Sequence, residues 1–298
     1  MTPKRKMANE TMRLTSKLKS KLAERKAITF PGAANAMFAR VIEDLGFEAC
    51  YVTGAGIANM HLGAPDIGLT TLTEIANATA AISDAIALPL LVDADTGFGN
   101  PVNMHRTVKV LERAGAAGIQ IEDQVFPKKC GHFNGKDVIP LPEMIAKIKA
   151  AVDARQDQDF QIIARTDSRA IIGLDQAIER AQAFIDAGAD VTFVEAPLSF
   201  EEMARIAREL KAPQIANIVY GGKTPDPGRA ALAEMGFAGV LYANASLQAA
   251  LRAAYDVLGS LKEHGSLEHV ADKLASFEER QRVVNKPLWD AMEARYRE

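Results

Sequence analysis

With 298 residues, 48% hydrophobic and 24% charged, the chain has globular composition and the length of a single α/β barrel, which needs about 250 residues. A net charge of −3 argues against a dedicated nucleic-acid binder and implies that an anionic substrate is gripped by a local site, not by a global field. Two cysteines, Cys50 and Cys130, are too few for a disulfide framework and fit a reducing, cytoplasmic setting; no apolar run approaches the roughly 20 residues that span a bilayer.

Residues 1–12 read as a loose tail. The N-terminal segment is basic but lacks the apolar core of a signal peptide; a transit peptide is the alternative. Leu14, Leu18 and Leu22 then form one stripe of a helix. Eight strands are predicted near Ile28–Phe30, Ala49–Thr53, Pro89–Asp93, Gly118–Glu122, Gln161–Arg165, Val191–Glu195, Gln214–Asn217 and Gly239–Tyr242. Helical patterns separate them. Asn100-Pro101 and Leu141-Pro142 mark helix starts, and Ser199 with Glu202 reads as a capping box. One joint recurs: a helical stretch ends at Gly46, Gly115, Gly188 or Gly236, and a β-branched or apolar run follows. Repeated αβ units of this kind predict a parallel sheet, here a (β/α)₈ barrel in one domain, with a doubly wound sheet as the alternative. Residues 246–298 form a helical extension, with helices over Leu247–Leu261 and Leu267–Val284 and an apolar cluster at Pro287–Met292. A closed barrel does not need it, which suggests an oligomer interface.

The predicted strand ends are polar. In order they supply Tyr51 and Thr53, Asp93 and Asp95, Glu122 and Asp123, Arg165 and Asp167, Glu195, Asn217 and Asn244. Buried polar groups are costly unless paired or coordinating, and C-terminal strand ends converge on barrel sites. Singly, each of these residues can be a cap or turn residue; as a set they point to a site. Asp93 and Asp95, two apart, face the same side of an extended chain, and Glu122 comes from the next strand. Oxygen donors without histidine or cysteine favour a hard cation: Mg²⁺, with Mn²⁺ as a substitute. The connection Gln124–Ile139 is long for a barrel loop and reads as a lid. In it Cys130 lies amid Lys128, Lys129 and His132. Positive neighbours favour the thiolate, so the cysteine is a candidate proton carrier; an idle surface cysteine is the alternative.

The segments LLVDADTGFGN, GIQIEDQVFPKKCGH, IIARTD and FVEAP together resemble the isocitrate lyase/phosphoenolpyruvate mutase superfamily, from about Phe30 to Tyr242. The KKCGH loop is the most specific piece. It marks the carbon–carbon lyase branches, of the 2,3-dimethylmalate lyase, petal death protein and 2-methylisocitrate lyase types; the phosphonate branch lacks this cysteine. The resemblance implies Asp95 as direct Mg²⁺ ligand, with Asp66, Asp93 and Glu122 acting mainly through water. It implies Tyr51, Thr53, Gly54 and Ala55 around the substrate carboxylate, although Ala55 stands where the family often has glycine. It further implies Arg165, Glu195 and Asn217 as substrate contacts, Cys130 as acid/base group with Gly131 and His132 beside it, and Tyr51 or a metal-bound water as the base for the hydroxyl. Homotetramers exchanging C-terminal helices are also implied. Val219 replaces a threonine usual in the methylisocitrate type, and no arginine follows the eighth strand until Arg252. A substituted malate is therefore the expected substrate. Oxaloacetate hydrolysis or decarboxylation, phosphonate chemistry and a non-catalytic dicarboxylate-binding barrel are the alternatives.

Overall fold

The computed structural model describes residues 12–131 and 135–297. Its eight strands are β1 (Ile28–Ala33), β2 (Cys50–Val52), β3 (Leu90–Asp93), β4 (Gly118–Glu122), β5 (Gln161–Thr166), β6 (Val191–Val194), β7 (Ile215–Asn217) and β8 (Gly239–Tyr242). All pair in parallel, in the order β6-β5-β4-β3-β2-β1-β8-β7. The two ends meet through one parallel bridge between Thr192 and Gln214, and the Gln214 amide donates to Thr192 Oγ1 at 2.6 Å. The result is a nearly closed (β/α)₈ barrel, as the sequence predicted. The four joint glycines have φ of +80°, +98°, +105° and +94°, values a side chain would disfavour.

Side-chain alternation explains where the core and the site lie. Cys50, Val52, Leu90, Val92, Ile119, Ile121, Ile162 and Ala164 point outward into the layer shared with the helices. Tyr51, Leu91, Ile163, Phe193, Ile215 and Leu241 point inward and meet Phe30. Helix Leu14–Ala23 places Leu18 and Leu22 among Ala49, Ala117 and Ala238, so it plugs the N-terminal end of the barrel. Almost all of the expected tail at 1–12 lies outside the described residues.

Two local expectations change. Glu202 does not return its carboxylate to Ser199; it accepts from the Leu198 N–H at 2.8 Å and pairs with Arg169, which offers a stronger, charged donor. The helix expected over Leu267–Val284 is broken. A 3₁₀ segment, Glu268–Lys273, contains non-helical Val270, and Ser276 caps a new helix, Phe277–Val283. The Pro287–Met292 cluster lies in a helix, Lys286–Arg295. No helix of the described residues is long and apolar enough to cross a membrane.

Candidate active site

At the C-terminal rim the inward positions turn from apolar to polar. On β4, Gln120 and Glu122 follow the same face, and on β5 Arg165 follows Ile163. Asp95 lies just past β3 with φ of +47°, an uncommon conformation for a residue with a side chain. It is held there by its own N–H, which donates to Asp93 Oδ1 at 3.2 Å, and by its carbonyl, which accepts from the Glu122 N–H at 2.9 Å. The strain is consistent with a site that needs this carboxylate aimed inward.

Lys128 enters this acidic group from the β4 loop. Its ammonium is almost fully buried and pairs with Asp66 and, at 2.7 Å, with Asp95 Oδ1. That oxygen accepts no hydrogen bond of good geometry, so the contact is an ion pair and not a directional bond. Burial works to lower the lysine's pKa, but Asp95, Glu122, Asp66 and Asp93 outweigh it and raise it well above the ordinary value. Burial, opposed by Lys128 and assisted by Asp93 and Asp66, pushes Asp95 up to about 7. Burial likewise raises Glu122.

A second cluster surrounds Arg165. Its Nε and Nη2 donate to the two oxygens of Asp167 at 2.9 and 3.0 Å. Its Nη1 is 3.4 Å from Glu122, its Nε is 3.8 Å from Glu195, and its guanidinium lies over the Phe193 ring at 5.1 Å. Burial works to raise Asp167, yet Arg165 and Lys136 overcome it and hold the carboxyl down to about 2. Behind it, Asp123 joins Thr166 at 2.7 Å and Arg180 at 2.6 Å, tying β4 and β5 to helix Leu174–Asp186.

The loop Gln124–Ile139 starts and ends in a short antiparallel pairing, with Val125 N–H to Asp137 O at 2.9 Å and Ile139 N–H to Asp123 O at 2.8 Å. The Gln124 amide bonds both ways to the Lys129 backbone, at 2.8 and 2.9 Å. Cys130 and Gly131 are thereby brought over the rim. A Cβ at Gly131 would sit 2.4 Å from Arg165 Nη2 and 2.5 Å from Glu195 Oε1, so the approach requires glycine. Lys128 and Lys129, expected to act on the thiol, engage Asp66 and Asp95 in one case and the Gly135 carbonyl in the other.

One pocket collects Cys130, Tyr51, Thr53, Ala55, Gly131, Arg165, Asn217, Asp66, Asp93 and Glu122. Asp95 and Glu195 are buried beside this wall, and a Cβ on Gly54 would approach Asp93 Oδ2 to 3.0 Å. His132 lies outside the described residues. Thr53 is committed to capping, accepting from the Gly56 N–H at 3.1 Å. The Asn217 amide reaches Glu195 at 3.3 Å. Tyr51 donates to Gln120 Oε1 at 2.8 Å, and burial keeps its ionisation well above the ordinary phenol value. Both facts work against Tyr51 as the base that takes a hydroxyl proton. Sequence reasoning missed Gln120, whose spacing of two from Glu122 was a usable signal. It also missed the roles of Lys128 and Lys136, for which the sequence shows only basic residues in a loop.

The donor set suits a hard cation. Glu122 Oε1 is a buried acceptor without a hydrogen-bond donor, and Asp95 Oδ1 faces only the Lys128 ammonium, which stands where a cation would be compensated. Among the described residues no three Asp, Glu, His or Cys side chains converge closely enough to bind one ion directly.

Comparison with known proteins agrees with this geometry. The sequence profile of the phosphoenolpyruvate phosphomutase family matches residues 18–262. The chain is 46% identical to 2,3-dimethylmalate lyase of Eubacterium barkeri, over 90% of this chain and 93% of that protein. It is 46% identical to 2-methylisocitrate lyase of Aeropyrum pernix, over 86% and 82%. Among solved structures, an oxaloacetate acetylhydrolase in complex with the inhibitor 3,3-difluorooxalacetate superposes with a TM-score of 0.88 at 34% identity, covering 95% of this chain and 97% of the other.

Proposed function

The chain belongs to the isocitrate lyase/phosphoenolpyruvate mutase superfamily and is a carbon–carbon lyase, and on that premise we propose that it splits a 2-hydroxy dicarboxylate of the substituted-malate class into a 2-oxoacid and a carboxylate. The observation that carries the substrate class is the charge layout of the pocket. Lys128, Lys129 and Arg165 stand on the side of β4, β5 and their loop. The β7–β8 side offers Val219, Leu241 and Ala243 with the amides of Asn217 and Asn244, and among the described residues no lysine or arginine lines it. A third carboxylate there would be buried without a counter-ion, whereas an alkyl group would be accommodated.

In this reading Asp95 would hold Mg²⁺, or Mn²⁺ in its place, with Asp66, Asp93 and Glu122 acting mainly through water, and the ion would supply Lewis-acid stabilisation of charge on the substrate's 2-oxygen. Thr53, Gly54 and Ala55 bound the carboxylate next to that oxygen. Arg165, with Glu195 and Asn217, orients the second carboxylate. The hydroxyl proton leaves to water, the C2–C3 pair moves to the departing half, and C2 becomes the carbonyl of the 2-oxoacid. The Cys130 thiol delivers its proton to C3 of the resulting enolate and regains one from solvent as products leave. Gly131 and then His132 follow Cys130 in sequence, and the loop that carries the thiol would keep water from the enolate.

The proposal extends to assembly and setting. Exposed Leu251, Tyr255, Leu258, Leu288, Trp289 and Met292 on the C-terminal helices fit burial against other subunits, in a homotetramer that exchanges these helices. The absence of disulfides fits a cytoplasmic enzyme.

The test is a panel of 2-alkyl- and 2,3-dialkylmalates, methylisocitrate and oxaloacetate, assayed for 2-oxoacid release with Mg²⁺, with and without EDTA. EDTA-sensitive cleavage of an alkylmalate is expected. Preference for methylisocitrate would refute the charge-layout argument. Hydrolysis of oxaloacetate alone would transfer the assignment to the activity named for the solved relative. Absence of turnover on every compound would end the lyase assignment.

A further inference from the structure

Two ammonium groups fasten the loop that carries Cys130 to the barrel: Lys128, on Asp66 and Asp95, and Lys136, which holds the backbone next to the thiol. Lys136 Nζ donates to the Gly131 carbonyl and, at 2.7 Å, to Asp167 Oδ1. Its side chain is only 2% exposed, so the charge is withdrawn from water and compensated by Asp167. The same carboxylate holds Arg165 through both of its oxygens. The carbonyl at the other end belongs to the residue after Cys130, at the point where a Cβ would collide with Arg165 and Glu195. One contact chain therefore runs from the thiol-bearing backbone through Lys136 and Asp167 to Arg165.

We propose that Lys136 is a positioning residue that sets the height of the Cys130–Gly131 backbone above Arg165. It does not line the pocket, so it acts through what it holds. The inference rests on the reading of Cys130 as proton donor and Arg165 as carboxylate anchor. Without the ammonium, Asp167 keeps both bonds to Arg165, and substrate still finds its anchor. The backbone after the thiol, however, loses its tether, and only the Lys128 and Gln124 contacts before Cys130 still hold the loop down. A displacement of about 1 Å in a reacting group costs on the order of a hundredfold in rate. The deficit should therefore fall on kcat and leave KM nearly unchanged.

The test compares Lys136→Met and Lys136→Arg with the unaltered enzyme. Lys136→Met should lower kcat by about ten- to a hundredfold, with KM within about threefold. Lys136→Arg restores a charged donor to both acceptors and should recover part of the loss. A second readout needs no substrate: alkylation of Cys130 by N-ethylmaleimide, located by peptide mapping, with fully buried Cys50 as internal control. Lys136→Met should alter the Cys130 rate by at least about threefold while Cys50 stays unlabelled. Should Lys136→Met fail to fold, Lys136→Gln, which keeps a donor for Gly131 but removes the charge from Asp167, takes its place in both assays. Normal kcat, a loss confined to KM, or an unchanged Cys130 rate would each overturn the proposal. If no substrate is turned over by any form, the functional reading fails, and the alkylation comparison still decides the tether.

Discussion

Replacing Gly131 with alanine adds one carbon at the tightest approach in the site. That carbon would lie 2.4 Å from Arg165 Nη2 and 2.5 Å from Glu195 Oε1. Non-bonded contacts of this kind settle near ~3.5 Å, so one side must withdraw by about 1 Å. Arg165 has little freedom to do so: both oxygens of Asp167 hold it, and Phe193 lies against its guanidinium. The backbone of Gly131 is outside the left-handed region, so alanine itself is not strained. The loop should therefore move, carrying Cys130 with it. A misplacement of that size predicts a fall in kcat on the order of a hundredfold, with a stability loss of about 1–3 kcal/mol. The assay is steady-state cleavage of the substrate found by the panel, with a thermal melt in parallel. A Gly131→Ala enzyme with kcat within about twofold of the original would show that the loop does not place the thiol, and the reasoning would fail.

Four other outcomes follow from the same geometry. Cys130→Ala should lose at least about a hundredfold in turnover while binding Mg²⁺ and oxalate normally by calorimetry, since general acid catalysis is worth roughly 10²–10⁴. Asp95→Asn should weaken Mg²⁺ binding by more than ~100-fold. In the unaltered enzyme a proton competes for this carboxylate, whose pKa burial pushes up to about 7. Affinity should therefore rise by about tenfold per pH unit between pH 5 and 7 and level off above; a flat profile would remove Asp95 as direct ligand. Asp167, held at about 2 against an ordinary value of 3.8, contributes on the order of 2 kcal/mol that is fully present above pH 4 and is lost as pH falls through 2. The stability gap between the unaltered protein and Asp167→Asn, read by urea denaturation, should narrow below pH 4, and a constant gap would contradict the ion-pair assignment. Leu22→Ala, at a side chain 1% exposed in the barrel plug, should cost about 2–5 kcal/mol with little effect on KM.

The barrel was legible because its signals are local. Four of the helices end beside a glycine of positive φ, and the strand that follows each is a short apolar run, so Gly46, Gly115, Gly188 and Gly236 announce the αβ unit at four joints. The acidic rim was legible for a related reason. A period of two converts spacing into facing, so Asp93 with Asp95, or Arg165 with Asp167, can be assigned to one side before any coordinate is known. The same rule contained Gln120, which it places under Glu122. Lys128 and Lys136 were not legible in their roles. Both lie in the loop after β4, where no period operates. The direction of a lysine there depends on which carboxylates the barrel brings within reach: Asp66 and Asp95 for one, Asp167 for the other. Those acids are 62, 33 and 31 positions away in sequence, and only barrel closure makes them neighbours. The helix break escaped for another reason: the backbone leaves helical geometry at Val270 and again over residues 274–276, and apolar periodicity continues across both. Sequence thus specifies the acids that make the site negative, while the cations that balance it are chosen by the fold. In the proposed function, the placement of those cations, on one side of the pocket among the described residues, is what would separate a malate from a larger tricarboxylate.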